Sequence, residues 1–188
     1  MGSGGRYTST AIVLHWLIAL GVITNIALAW VWPYVADDNV RPLIDKHKAI
    51  GVTILGLAVL RLLWRVTHKP PAMPAGYAKW EVTAARIVHW GLYFVIFAMP
   101  LTGWIMDSAY EHAATTPMSY FGLFQWPRIG FVMDLPPDTK KWVHDSFGAA
   151  HGLIAKLVYA LFALHVAGAL RHQMQGAREL RRMGIGRG

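Results

Sequence analysis

The chain has 188 residues, 55% hydrophobic and only 15% charged, with a net charge of +8, nine histidines, nine tryptophans and no cysteine. That hydrophobicity excludes a disordered chain, and the missing cysteine excludes disulfide-stapled folds, thiolate metal sites, iron–sulfur clusters and C-x-x-C-H haem attachment. A metal here is held by nitrogen or oxygen, and the charge marks nucleic acid, anionic lipid or an uneven distribution about a membrane.

Four stretches reach the ~20 apolar residues that a helix, rising ~1.5 Å per residue, needs to cross a bilayer core. They are 11–32, 47–66, 86–106 and 147–170. Backbone groups in lipid must be satisfied within the segment, so all four are expected to be helical. The first carries His15; it is too long for a signal-peptide core and lacks a small-residue cleavage site, so it is expected to be retained. The second opens on His47. Pro70, Pro71, Pro74 and Gly76 make the next connection a tight loop. The third span has His89 near its start, followed by Met99 and Met106. Residues 107–146 then contain Pro117, Pro127, Pro136 and Pro137, and Asp138 is expected to cap a helix that begins outside the membrane and runs into the fourth span. That span holds His151, His165 and Lys156. The expected architecture is one all-α, integral-membrane four-helix bundle over residues 1–188.

Trp16, Trp64, Trp80 and Trp90 form one interfacial belt, and Trp30, Trp32, Tyr34, Trp104, Trp126 and Trp142 the other. Eleven basic residues lie on the side of the termini: Arg6, Arg61, Arg65, Lys69, Lys79, Arg86, Arg171, Arg178, Arg181, Arg182 and Arg187. Six lie opposite: Arg41, Lys46, Lys48, Arg128, Lys140 and Lys141. The positive-inside rule places both termini in the cytoplasm. The net charge is thereby explained by topology, and nucleic acid is not an expected partner.

Ionisable residues inside a membrane are costly and mark functional sites. His15 and His165 lie in the inner half, whereas His47 and His151 lie in the outer half. Fourteen residues separate His151 from His165, ~21 Å along a helix and nearly whole turns, so both share one face. Matched depth pairs His15 with His165 and His47 with His151, each pair supplying two axial imidazoles to one iron. Such ligation suits electron transfer, because it leaves no open position at the metal. Depth alone leaves His144 open as an outer ligand, and His172 and His89 as inner ones, while His68 and His112 read as loop residues. Arg86, Arg171 and His172 are inner candidates for a haem propionate or a quinone. Arg41, Lys48 and Lys141 are outer candidates for drawing in a small anion. Lys156 is expected either to snorkel to an interface or to meet a propionate.

The segments carrying these residues resemble the bacterial cytochrome b561 family and, more remotely, the cytochrome b subunits of nickel–iron hydrogenases. The resemblance rests on LHWL at His15, RPLIDKH ending at His47, GVTILGLAVLRLLWR, HKPPAMP, HWGLYFVIFAMPLTGW from His89, and HGLIAKLVYALFALH from His151 to His165. It implies two haem b groups on His15, His47, His151 and His165, and an inner-membrane location. It also implies electron transfer from a periplasmic donor, superoxide in some members, to ubiquinone. A periplasmic redox partner protein is a further expectation. Two alternatives stand beside this: an anchor subunit of a partner dehydrogenase or hydrogenase, and a histidine-based metal or proton transporter. Few acidic residues in the spans weaken the second.

Overall fold

The computed structural model describes residues 5–72, 76–177 and 179–185, so Pro74, Arg178 and Arg187 lie outside the described residues. Among the described residues, four helices are long and apolar enough to cross a membrane. Helix α1 (Ser9–Val31) starts where the Thr8 hydroxyl accepts a hydrogen bond from the Ala11 N–H at 3.3 Å, and it passes into a 3-10 turn at Trp32–Tyr34. Helix α2 (Asp37–Thr67) has Asp37 and Asp38 in its first turn, where the helix dipole favours them. This start lies ten residues before His47, so the histidine sits within the helix and does not open it. Helix α3 (Lys79–Ser108) is capped by the Glu81 carboxylate, which accepts from the Ala78 N–H at 2.9 Å.

The long connection after α3 is built from a short antiparallel pair, β1 (Ser119–Tyr120) on β2 (Phe124–Gln125), and the one-turn helix α4 (Gly130–Met133). Helix α5 (Pro137–Met174) follows. Its N-cap is Pro136 and its first residue Pro137, so Asp138 occupies the first turn instead of capping. Proline's fixed φ suits the first helical position, and the residue before a proline is held extended, so the proline pair sets the boundary. A C-terminal turn, α6 (Glu179–Arg182), folds back against the end of the bundle that carries both termini.

Packing makes two hairpins. Helix α1 lies along α2, and α3 lies along α5, while α5 makes little backbone contact with α1 or α2. Val95, Val158 and Leu161 form the small core of the second hairpin, joined by Val22, Ile26 and Met99. Gly91 makes this packing possible, since a Cβ there would stand 3.0 Å from Leu161 Cδ1. The outward surface is apolar: Leu20, Ile87 and Leu153 are all exposed, as lipid-facing residues are. The opening between the hairpins positions the site.

Candidate cofactor site

The opening is a continuous cavity of about 1260 Å³, reaching from Tyr7, Pro71, Tyr77 and Glu179 at the terminal end to Lys48, Met106 and Met118 at the far end. Typical small-molecule pockets hold about 300–1,000 Å³, so there is room for more than one group. Its wall is mostly apolar, and six imidazoles line it: His15, His47, His89, His151 and His165 along its length, and His172 at the terminal end.

Two pairs of rings face each other across the gap. His15 on α1 and His165 on α5 have ring centroids 6.0 Å apart, and His47 on α2 and His151 on α5 have centroids 6.3 Å apart. The interplanar angles are 68° and 69°. An imidazole nitrogen stands about 2 Å from a bound metal and about 1 Å from its own ring centre, so two axial imidazoles on one metal have centroids about 6 Å apart. Both pairs fit. Among the described residues no three or more His, Asp or Glu side chains converge to hold a bare ion. Each pair would supply two donors, and the cavity leaves room beside them for a macrocycle to supply the rest.

The far pair is oriented from behind. His47 Nδ1 lies 3.3 Å from the Asn25 carbonyl oxygen, while the Asn25 side-chain amide donates to the His47 carbonyl oxygen at 3.2 Å. His151 Nδ1 lies 3.0 Å from the Thr102 hydroxyl. In each case Nδ1 is engaged and Nε2 remains for the gap, the usual arrangement for a metal-binding histidine.

The other histidines separate cleanly. His89 on α3 lies close to His165, with centroids 5.4 Å apart, which is tight for two rings with a metal between them. His144 is not part of the cavity wall; its Nδ1 donates to the Met106 carbonyl oxygen at 3.0 Å. His172 lines the terminal end and stacks on Tyr77 at 4.2 Å. His68 stacks on Trp64 at 3.8 Å beyond the end of α2, and His112 is exposed beside Glu111.

Arg86 and Arg171 also line the terminal end. Arg171 pairs with Glu81 and lies 5.7 Å over the Trp80 ring. Tyr77 donates to Glu179, and burial together with that carboxylate pushes its phenol above the usual range. At the far end Lys48 lines the cavity but is ion-paired with Asp107. Arg41 pairs with Asp45 at 3.1 Å and Lys141 with Asp145 at 2.6 Å; neither lines the cavity. Lys156 is exposed on α5 and is not part of the cavity wall.

Asp107, Arg128, Thr102 and Asn25 also build the site, although their sequence positions carry no signal for it. Asp107 is 5% exposed and lies between Lys48 and Arg128, which donates to it at 2.9 Å. Arg128 also donates to the carbonyl oxygens of Ala113 and Thr116 at 2.5 and 2.6 Å, tying the loop down as a cap on the far end. Proximity in sequence gave no sign of this, because Lys48 and Asp107 are on different helices.

The family profile described as "Prokaryotic cytochrome b561" matches residues 6–186. The chain is similar to "Cytochrome b561 homolog 2" of Escherichia coli (strain K12), being 31% identical over 170 residues that cover 89% of this chain and 84% of that protein. It is 25% identical to "Probable superoxide oxidase CybB" of Yersinia pestis, over 89% of this chain and 88% of that protein. It is also 25% identical to "Cytochrome b561 homolog 1" of Escherichia coli (strain K12), over 89% of both chains.

Proposed function

The chain belongs to the prokaryotic cytochrome b561 family of electron-transferring membrane b-type cytochromes, and on that footing we propose that it carries two haem b groups and passes electrons from superoxide on the periplasmic side to ubiquinone. It is a multi-pass protein of the bacterial inner membrane, and family membership sets aside the transporter alternative. The observation that carries the proposal is the pair of cross-hairpin imidazole couples, 6.0 and 6.3 Å between centroids, in one continuous cavity. His15 and His165 are the ligands of the haem nearer the termini, and His47 and His151 those of the far haem. His89 is assigned a neighbouring role, since its 5.4 Å spacing to His165 is short for a shared metal. Haem supplies reversible one-electron chemistry at iron, and an imidazole on each face favours electron transfer over oxygen binding.

With both termini cytoplasmic, the far end faces the periplasm. Lys48, Arg41 and Lys141 are the cations proposed to attract the anion, and Lys48 alone of the three borders the cavity. Each superoxide gives up one electron and leaves as dioxygen; two such electrons with two protons convert one ubiquinone to ubiquinol. His172, Arg86 and Arg171 are proposed to receive the quinone headgroup or a propionate, supported by their place in the wall beside Tyr77 and Trp80. The test is turnover by the purified single chain with superoxide and a soluble ubiquinone analogue. Superoxide loss coupled to quinol formation is expected. An inert, haem-loaded chain would favour the anchor-subunit alternative.

A further inference from the structure

Helix α3 contributes to neither facing pair, yet two consecutive residues of it act on the His151 ring. The Thr102 hydroxyl lies 2.8 Å from the Ala98 carbonyl oxygen and 3.0 Å from that of Met99, so its one proton is committed to the helix backbone. Its oxygen is then the acceptor for His151 Nδ1–H at 3.0 Å. The next residue is Gly103, where a Cβ would stand 3.3 Å from His151 Cε1 and 3.5 Å from Nδ1. Thr102 therefore holds the back of the ring while Gly103 leaves room for its edge. By contrast, no ring nitrogen of His15 or His165 has a protein hydrogen-bond partner among the described residues.

We propose that Thr102 is a positioning residue for the far redox centre: its hydroxyl fixes His151 as the Nδ1–H tautomer with Nε2 in the gap, and lowers that centre's reduction potential. The physical cause is that a hydrogen bond from the distal N–H makes an imidazole a stronger electron donor, which stabilises the oxidised metal. The sense of the effect favours electron departure from the far centre toward the near one. This rests on the haem assignment proposed above.

The test compares wild type with Thr102→Val, which keeps the shape and loses the acceptor, and Thr102→Ser, which keeps the acceptor. Potentiometric titration of the purified holoprotein, followed at the haem absorption bands, reads both centres. Thr102→Val is expected to move the far midpoint to more positive potential and leave the near one in place, with Thr102→Ser close to wild type. Loss of the far haem in Thr102→Val alone also supports the tether. An unmoved far midpoint in Thr102→Val overturns the proposal, as does an equal shift, or equal loss of haem, in Thr102→Ser. Wild type lacking two haem transitions contradicts the haem assignment itself, whereas two normal wild-type transitions with an unaffected Thr102→Val contradict only the role of Thr102.

Discussion

Lys48 of α2 and Asp107 of α3, 59 positions apart in the chain, form a buried ion pair at the far end of the cavity, with side chains 17% and 5% exposed. Arg128 joins the same carboxylate from the loop, so one acid holds two cations and closes the end of the bundle. Removing the acid leaves both cations without their compensating charge. Asp107→Asn is expected to destabilise the protein by about 3 kcal/mol, the scale for breaking a buried pair from one side. Thermal unfolding in detergent measures it, and an unchanged midpoint would show that the pair is not coupled to stability.

The ligand assignment predicts which haem each substitution removes. His47→Ala or His151→Ala should leave one haem per chain, the near one, and His15→Ala or His165→Ala should leave the far one. His89→Ala should keep both. Haem quantification with low-temperature spectra reads these outcomes, and two full haem equivalents in His151→Ala would refute the far-pair assignment.

Tyr77 ties the loop after α2 to the C-terminal turn through Glu179, and both its burial and that carboxylate favour the neutral phenol. A phenol raised in the folded state stabilises it fully below the ordinary tyrosine value of about 10, and this contribution is lost as pH climbs through the higher folded value. Alkaline solutions should therefore release the C-terminal turn. Limited proteolysis after residue 176 is expected to accelerate above that range in wild type. In Tyr77→Phe it should be fast already at neutral pH, and equal neutral rates in the two proteins would count against the tie.

Gly91 lets α5 approach α3, with Leu161 Cδ1 3.0 Å from the position of a Cβ. Gly91→Val is expected to cost about 1–3 kcal/mol by overpacking. The lost stability should be partly restored by adding Leu161→Ala, and a strictly additive double mutant would show that the two positions do not touch.

Much of this was legible in the chain because membrane segments carry their own length requirement and histidines in them are conspicuous. Matched depth pairs His15 with His165 and His47 with His151, and in the fold the ring centroids of these pairs lie 6.0 and 6.3 Å apart. Helix ends were less legible: α2 begins at Asp37 because polar residues continue a helix once it leaves the apolar core, which hydropathy does not register. The loop cap, the Lys48–Asp107–Arg128 cluster and the Thr102 contact are tertiary, made between residues on different elements, and no local pattern announces them. Lys156, read as snorkelling to an interface or meeting a propionate, is exposed on α5, which accords with the first of these.

Two bis-histidine haem sites in one membrane bundle are read most directly by haem stoichiometry with absorption spectra of the purified wild-type chain. Two haem b per chain are expected, both low-spin, with reduced α bands that titrate as two transitions. A protein without these bands, or with a single haem per chain after full reconstitution, would contradict the two-site assignment.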